Sequence, residues 1–295
     1  MHTATAPEMS IRDVWAIIAT YNSEPSRIDA QLERLQGECR IAIVDNSTEP
    51  QARNKLEELS HKHNAKYICM RGNVGIAQAQ NQGAAYAIAN GARFLLLLDD
   101  DSLPVRGMIA SLHSTYDSRL KHGCRAVVCG MHLERGAPPQ ISGQEIRPII
   151  NMMSSGTFIS TDIFTDVGAM DEDLFIDYVD FDWGWRAQKK GYTILLDPST
   201  TFEHSLGEGN KKFLSITIRV PAPIRHYFQF RNTFLLAHRP HVPLSWKLGR
   251  FLITPAKLFI LLMVAKNRRE RIYFAAKGAL HGIRRRSGPY TSAKS

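Results

Sequence analysis

The chain has 295 residues, of which 44% are hydrophobic, and a formal net charge of +9. This length and composition exclude a disordered chain and suffice for the core of one large domain or two modest ones. The charge is divided unequally, because residues 1–210 carry 19 Lys and Arg against 27 Asp and Glu, whereas residues 211–295 carry 18 against Glu270 alone. We therefore expect a slightly acidic body and a strongly basic C-terminal region.

Cysteine usage and the N-terminal sequence indicate a cytoplasmic protein. The four cysteines show neither the paired spacing of a metal site nor the density of a disulfide framework. The first thirteen residues lack the apolar run of a signal peptide. The longest apolar segment, residues 251–265, is short for a transmembrane span and contains Pro255 and Lys257. It predicts a helix that lies at a membrane surface.

Short apolar runs alternate with helical patterns along the first hundred residues. Strands are predicted at residues 14–19, 41–44, 67–70 and 94–98. Helices are predicted at residues 26–37, with Ser26 as the N-cap, at 50–63 and at 76–89. This alternation predicts an α/β fold with a parallel sheet. Farther along the chain, further strands are predicted at 126–130, 156–160 and 192–196, and an irregular insertion at 131–150.

Polar residues follow each of the first four predicted strands. Because ligands bind at the carboxyl ends of the strands in such sheets, these residues are expected to line one crevice. The side chains expected to reach a ligand there are Thr20, Asn22, Asp45, Arg71, Asn73, Asp99, Asp100 and Asp101.

Three adjacent aspartates end the fourth strand, in the sequence LLLLDDDSLP at residues 95–104. They fit a turn or cap before a helix opened by Pro104. They also fit a metal site, because adjacent carboxylates raise one another's pKa unless a cation intervenes. Mg²⁺ and Mn²⁺ prefer such oxygen ligands and also bind diphosphate oxygens. The position at the edge of the sheet favours the metal site.

A second acidic cluster lies in FIDYVDFDWGWRAQKKGY, residues 175–192. The spacing of Asp182 and Arg186 predicts a helix, with Asp177 and Asp180 at or before its N-terminus, where the helix dipole stabilises negative charge. An ordinary acidic first turn followed by buried tryptophans would explain the same pattern.

His204 follows the predicted strand 192–196, in the sequence FEHSLGEG. A lone histidine is more often structural than a ligand. An incomplete carboxylate site would nevertheless accept one imidazole, especially if it binds Mn²⁺.

Taken in order, these segments resemble the inverting family 2 glycosyltransferases with the GT-A fold, and within them the bacterial rhamnosyltransferase-like group. The resemblance covers nearly the whole chain. It is carried by AIIATYNSEP, VDNS, RGNVGIAQAQNQGAAYA, LLLLDDDSLP, SSGTFIS, FIDYVDFDWGWRAQKKGY, HSLGEG, RHYFQFRNTFLL and RIYFAAKGALHGIRRRSG. The group commonly has D-Q-D where this chain has D-D-D. This difference keeps both outer aspartates, so it bears on the choice of sugar and not on metal binding.

The resemblance implies transfer of L-rhamnose from dTDP-L-rhamnose, with inversion, onto a growing surface glycan. It assigns the contact with the base to Asp45, the contact with the ribose to Asp99, metal coordination to Asp101 and His204, and general base catalysis to Asp180. The metal would be Mg²⁺ or Mn²⁺, which as a Lewis acid would neutralise the departing nucleoside diphosphate.

Further contacts are expected on both sides of the reaction. Asn81 is a candidate donor contact on the predicted helix 76–89, with capping as the competing interpretation. Asp177, Asp182 and Trp183 are candidate acceptor contacts. For Asp182 the competing interpretation is pairing with Arg186, and for Trp183 it is core packing.

We expect two regions along the chain. Residues 1–210 would form a GT-A catalytic domain, with a nucleotide-binding half at about 12–102 and an acceptor half at about 103–210, and residues 211–295 a basic helical region. The basic charge beside an apolar segment predicts contact with anionic lipid on the inner face of the cytoplasmic membrane. The acceptor would be a lipid-linked glycan or a polysaccharide of lipopolysaccharide or capsule synthesis. The sequence leaves the oligomeric state open.

Two other interpretations remain open at this stage. The same fold could use UDP-galactofuranose or a UDP-hexose. From a different class, the chain could be a non-catalytic basic protein that binds membranes or nucleic acid. Nucleic-acid binding is disfavoured because the predicted crevice is acidic. A scaffold would give no reason for Asp99, Asp101, Asp180 and His204 to occur together.

Overall fold

The computed structural model describes residues 10–134, 145–204, 210–213 and 216–291, and for residues 134, 204, 210–213 and 216–219 it describes the backbone alone. Within these ranges, the strands are β1 (Val14–Thr20), β2 (Arg40–Asp45), β3 (Lys66–Cys69), β4 (Phe94–Asp99), β5 (Ser102–Pro104), β6 (Ala126–Glu134), β7 (Arg147–Pro148), β8 (Thr157–Ser160), β9 (Thr193–His204), β10 (Asn210–Phe213) and β11 (Ile216–Arg219). The α-helices are α1 (Pro25–Leu35), α2 (Pro50–Lys62), α3 (Ile76–Ala89), α4 (Met108–Lys121), α5 (Thr161–Val167), α6 (Val179–Lys189), α7 (Arg225–Ala237), α8 (Leu244–Val264) and α9 (Arg268–Ile283).

The main sheet has the strand order β3-β2-β1-β4-β8-β6-β9-β5, and β7 pairs with β9. The first four strands are parallel, as the sequence predicted. Strand β8 runs antiparallel to its neighbours β4 and β6, which makes the sheet mixed. The carboxyl ends of β1, β2, β3 and β4 therefore lie along one edge of the sheet.

Strand β1 is buried at every position, which explains its unbroken apolar sequence. Its alternate residues belong to two cores on opposite faces, with Trp15 and Ile17 in one and Ala16 and Ile18 in the other. Helix α3 packs directly on this strand through Gly83, where an added Cβ would lie 2.4 Å from Ile17. The polar ends of the strands are thus fixed to a rigid base.

Two local predictions are wrong. Helix α1 begins at Pro25 with Glu24 as the N-cap, because proline is well suited to the first helical position, so Ser26 is inside the helix and not its cap. The segment 131–150 is also more regular than predicted, since β6 continues to Glu134 and β7 pairs with β9. Residues 135–144 of that segment lie outside the described residues.

The sequence predicted a helical region over residues 211–295. The chain is helical from Arg225 onward, but the antiparallel pair β10 and β11 precedes α7, so the prediction is wrong for the start of the region. Helix α9 packs against the backbone of α7 at two glycines. An added Cβ at Gly278 would lie 2.2 Å from the carbonyl oxygen of Tyr227, and one at Gly282 would lie 2.6 Å from that of Arg231. None of the helices in the described part of the chain combines the length and apolarity needed to cross a bilayer.

Candidate active site

The β1 and β2 strand ends meet at Thr20 and Asp45, which are register partners. The Asp45 carboxylate is fully buried and accepts hydrogen bonds from the Thr20 hydroxyl at 3.1 Å, the Ser47 N–H at 2.9 Å and the Tyr67 hydroxyl at 2.7 Å. These partners fix its orientation. The predicted contact between Asp45 and a nucleotide base stays a prediction, and it would have to share the carboxylate with these donors.

Asn22 connects the loops that follow β1 and β2. Its backbone has a positive φ of 48° and its N–H donates to the Ser47 hydroxyl at 2.8 Å. Its side-chain oxygen accepts from the N–H groups of Thr48 and Glu49 at 3.0 and 3.2 Å, at the start of α2. Because Glu49 itself provides no side-chain cap, Asn22 supplies that function from another loop.

After β3, Arg71 and Asn73 are exposed on the same edge of the sheet. Arg71 has a positive φ of 56°, and the Asn73 side chain accepts from the Gly75 N–H at 3.0 Å. Both side chains are placed where a donor could reach them, as predicted from the strand pattern. Their contacts with a donor stay predictions.

Gln31 supports the turn from Asp99 to Ser102. Its side-chain amide donates to the carbonyl oxygens of Asp99 and Ser102 at 3.0 and 2.7 Å. The Ser155 hydroxyl accepts from the Asp99 N–H at 3.0 Å and donates to the Ser102 hydroxyl at 2.7 Å. The Asp100 carboxylate accepts from the Ser23 hydroxyl. The backbone of the turn is therefore fixed by Gln31 and Ser155, and the Asp100 carboxylate by Ser23.

Electrostatics in this turn favour a bound cation. Burial, together with the carboxylates of Asp101, Asp100 and Asp180, raises the pKa of Asp99 to about 7, whereas Arg225 opposes the shift. Burial also raises the pKa of Asp100. In addition, one carboxylate oxygen of Asp99 is buried without a hydrogen-bond partner. A divalent cation would satisfy that oxygen and remove the repulsion, so the residues present fit a metal.

Of the two predicted metal ligands, Asp101 lies in the turn between β4 and β5, and His204 is the last residue of β9, which pairs with β5. Residue 204 is the register partner of Ser102, which brings its backbone beside Asp101. The His204 side chain lies outside the described part of the chain. Among the described residues, no three His, Cys, Asp or Glu side chains converge as a ready-made metal site. The assignment of both ligands stays a prediction.

Asp180 lies in the first turn of α6, near the carboxylate turn. Its two oxygens accept from the N–H groups of Phe181 at 2.9 Å and Ser154 at 3.3 Å. Burial raises the pKa of Asp180 to about 6, although these backbone hydrogen bonds oppose the shift. A carboxylate with a pKa near neutrality suits general base catalysis, because it is ionised at pH 7 and still basic enough to accept a proton.

The loop before Asp180 has an unusual backbone, with positive φ angles of 62° at Phe175, 67° at Asp177 and 68° at Tyr178. Positive φ in non-glycine residues is energetically unfavourable and persists where the surroundings impose it. Here α7 imposes it. The Asn232 side-chain amide, which is fully buried, donates to the carbonyl oxygens of Leu174, Ile176 and Asp177 at 3.0, 2.8 and 2.9 Å.

Two arginines of α7 reinforce this support. Arg225 forms a paired contact with both carboxylate oxygens of Asp177, at 3.0 and 2.6 Å. Arg231, which is 0% exposed, donates to the carbonyl oxygens of Asp173 and Leu174 at 3.0 and 2.9 Å. Both arginines therefore bind groups of the protein itself, and Arg231 is buried, whereas the Arg225 side chain is still 40% exposed. The expectation that the basic charge of the C-terminal region faces anionic lipid is corrected for Arg231.

The predicted acceptor contact by Asp182 is corrected for a similar reason. Its side chain is 0% exposed and bonds Arg186 at 3.0 Å, Arg239 at 2.7 Å and His241 at 2.7 Å. Burial tends to raise the pKa of Asp182, but the His241 hydrogen bond and the two arginines outweigh it and lower the pKa to about 2. Asp182 thus links α6 to the residues that follow α7. Asp177, the other predicted acceptor contact, forms an ion pair with Arg225.

Trp183 does not form a sugar platform. The side chain is fully buried, its ring stacks on Phe164, and its indole N–H donates to the Gly168 carbonyl at 2.8 Å. The predicted acceptor contact is corrected, and core packing is the observed role.

Asn81 is also committed to protein contacts. Its amide nitrogen donates to the Met170 carbonyl at 2.9 Å and the Glu172 carboxylate at 2.8 Å, and its oxygen accepts from the Met170 N–H at 2.7 Å. It ties α3 to the segment that leads into the Asp180 loop. The predicted donor contact stays a prediction, and it would have to share the Asn81 amide with these bonds.

Sequence reasoning missed Gln31, Ser155, Arg225 and Asn232 as residues that hold the site. Gln31 and Ser155 offered no pattern beyond their own helix and loop. Arg225 and Asn232 lie in RHYFQFRNTFLL, a segment that the sequence analysis assigns to the basic helical region and not to the active site. For Asn232 the available signal was its place beside Arg231, a polar pair between the aromatic residues Phe230 and Phe234 of the helix.

Residues 15–158 match the family model "Glycosyl transferase family 2". The chain is also 30% identical to the "dTDP-rhamnosyl transferase RfbF" of Shigella flexneri, over 92% of this chain and 96% of that protein. The chain belongs to glycosyl transferase family 2. It is a glycosyltransferase, and the sequence resemblance is confirmed at the level of the family.

Solved structures agree on the fold of this family 2 glycosyltransferase. S. aureus TarS 1–349 in complex with UDP-GlcNAc superposes with a TM-score of 0.54 at 15% identity, covering 92% of this chain and 81% of that one. GalNAc-T7 with UDP, GalNAc and Mn²⁺ superposes with a TM-score of 0.56 at 16% identity, covering 85% of this chain and 56% of that one. At these identities the likeness establishes the GT-A fold alone.

Proposed function

We propose that this glycosyltransferase transfers L-rhamnose from dTDP-L-rhamnose to a glycan acceptor, with inversion at the anomeric carbon. The observation that carries this proposal is the proximity of a half-buried carboxylate of raised pKa, Asp180, to the carboxylate turn at Asp99 and Asp101. The choice of sugar is supported by the 30% identity to a dTDP-rhamnosyl transferase.

Inversion requires one displacement, with a base on the acceptor side and a stabilised leaving group on the other. Asp180 accepts the proton of the attacking acceptor hydroxyl. The N–H groups of Phe181 and Ser154 donate to its carboxylate and fix the orientation of that carboxylate. Asp101, with Asp99 and His204 beside it, would hold Mg²⁺ or Mn²⁺, which when bound supplies charge neutralisation for the departing diphosphate. Asp45 and Asn22 shape the edge that receives the nucleotide.

We also propose that the protein lies on the inner face of the cytoplasmic membrane, where a lipid-linked or polysaccharide acceptor is elongated. Helix α8 supports this, because four residues of one stripe are exposed: Leu248, Leu252, Phe259 and Met263. Exposed basic residues at 266, 268 and 269 follow it. An apolar helix face beside basic charge suits an anionic bilayer surface.

The membrane proposal is tested by sedimentation with vesicles of phosphatidylethanolamine and phosphatidylglycerol. We expect the double variant L252S/F259S to remain in the supernatant under conditions in which the unaltered protein sediments. The matched control L120S removes an exposed leucine from α4 and should still sediment. Equal sedimentation of all three proteins would contradict this placement.

The donor is tested by thermal shift with a panel of nucleotide sugars and Mn²⁺ or Mg²⁺. We expect dTDP-L-rhamnose to give the largest stabilisation, and we expect Asp101→Ala to lose the part of it that depends on metal. A larger response to a UDP-sugar would overturn the rhamnose assignment.

A further inference from the structure

Helix α8 has its polarity reversed relative to an ordinary surface helix. Most of its apolar side chains face outward, with Leu252 76% exposed, although Trp246 and Leu261 are buried. Its basic residues Arg250, which is half-buried, and Lys257, which is exposed, are seven residues apart and so on one side of the helix, where both line an open cavity. A surface helix normally buries its apolar stripe and exposes its charges. The reversal therefore calls for a partner on each side of α8.

The cavity lies between α7, α8 and the loop that precedes Asp180, and its volume is about 780 Å³. Its lining includes Tyr21 and Asn73, which follow β1 and β3 at the donor edge, and the cations Arg250 and Lys257 of α8. Much of the remaining wall is aromatic and aliphatic, with Tyr178, Phe228, Leu258, Leu261 and Tyr290.

Two cations of this cavity, Arg250 and Lys257, form no ion pair with a carboxylate in the described part of the chain, whereas Arg225, also in the wall, is paired with Asp177. The Arg250 guanidinium lies over the rings of Tyr178 and Trp246, at 4.9 and 5.5 Å from their centres. These rings hold the guanidinium in place without neutralising it. Such a group is ready to bind an anion.

We propose that this cavity is the acceptor site, and that the acceptor is an amphiphile whose phosphate or diphosphate group contacts Arg250 and Lys257. This inference rests on the proposed function, because it takes the transferred sugar to arrive from the Asp99 side. The apolar wall of the cavity accommodates the first part of the lipid chain, and the outward face of α8 contacts the bilayer that holds the rest. A purely polysaccharide acceptor would leave both the cations and the apolar wall unused.

A donor diphosphate is the other source of phosphate in this reaction. Neither Asp99 nor Asp101 lines the cavity, although Tyr21, which does, donates its N–H to the Asp100 carboxylate at 3.4 Å. Occupying the donor site with dTDP therefore separates the two sources experimentally.

The test is a titration of the full-length protein with farnesyl diphosphate, at saturating dTDP and without lipid, followed by intrinsic tryptophan fluorescence or calorimetry. We expect saturable binding that the double variant R250A/K257A weakens at least about tenfold, since each charge-assisted contact contributes about that factor. The matched control K266A/R269A removes two exposed cations outside the cavity and should bind as the unaltered protein does. Inorganic pyrophosphate and farnesol, which carry the two halves of the probe separately, should each bind much more weakly.

Several results would overturn the inference. Displacement of farnesyl diphosphate by dTDP would place it in the donor site. Equal binding to R250A/K257A and K266A/R269A would show that Arg250 and Lys257 do not form the site. Equal binding of pyrophosphate would remove the lipid from the ligand. Because the titration needs no sugar transfer, it can succeed even if no dTDP-sugar proves to be a donor, and failure of the proposed function would then be seen separately.

Discussion

The two sides of the active site are built in different ways. On the donor side, the polar residues follow parallel strands, and each is fixed by the strand before it, as Asp45 and Asp99 show. On the acceptor side, Asp180 follows a loop with three positive φ angles that is held by side chains from a helix about 50 residues later. The donor side is therefore a property of the sheet, whereas the acceptor side depends on packing between distant segments.

This contrast predicts that substitutions on the donor side change binding, and that those on the acceptor side change turnover. The same kinetic effect from substitutions on both sides would contradict this division between binding and turnover. The four changes below test it, beginning with the one expected to have the largest effect.

Asp180→Asn should reduce kcat by about 10²- to 10⁴-fold, because the amide cannot accept the proton of the acceptor hydroxyl. Donor binding, measured by thermal shift with metal, should be nearly unchanged. Loss of donor binding with the same substitution would assign Asp180 to the donor side instead.

Asn232→Leu should reduce kcat by about tenfold to a hundredfold, because misplacement of a catalytic group by about 1 Å can have an effect of this size. The substitution keeps the approximate volume and removes the three hydrogen bonds to the Asp180 loop. The KM for the donor should change little. Steady-state kinetics with both substrates varied would measure the two effects separately.

The matched control is Asn81→Leu, which also removes three hydrogen bonds between a helix and a loop, but on the segment at 170–172. Its thermal stability should fall by a similar amount and its kcat should fall less. Equal loss of kcat in both variants would show that Asn232 stabilises the protein in general and does not specifically position the Asp180 loop. A selective loss of donor affinity in Asn81→Leu would support the donor contact that the sequence predicted.

The pH profile should show the ionisation of Asp180. Because burial raises its pKa to about 6, the fraction of active base falls as the pH drops through that value. We expect kcat at saturating donor and metal to fall about tenfold for each unit below pH 6. The residual activity of Asp180→Asn should lack this dependence, and a profile governed by a pKa near 4 would contradict the effect of burial.

Asp100→Gln should have the smallest effect, a change in donor affinity within about threefold. The loss of one hydrogen bond between uncharged groups has an effect of that order. Asp100 is held by Ser23 and the backbone of Tyr21 at the rim of the site, and the substitution restores the D-Q-D sequence of the related group. A change in donor preference measured with the nucleotide-sugar panel would show that this position selects the sugar.

The same contrast explains how much the sequence could predict. The four parallel strands and their polar ends follow from alternating apolar runs and a general rule about strand termini, so Thr20, Asp45 and Asp99 were predicted together. Asp182 and Trp183 fit the acceptor side by spacing alone, and only the packing of α7 and α5 reveals that they are buried. Hydrogen bonds between residues 50 positions apart leave no periodic pattern, which is why Asn232 was missed.

The close packing of α9 on α7 through Gly278 and Gly282 has a practical consequence for protein production. Truncation before α8, an obvious way to obtain a form without its exposed apolar helix, would also remove α9 and expose the side of α7 opposite Asn232. Such a truncated enzyme would be expected to bind its donor and turn over poorly. Substitution of individual outward residues of α8 is the better route to a well-behaved sample, because it leaves the last helix in place.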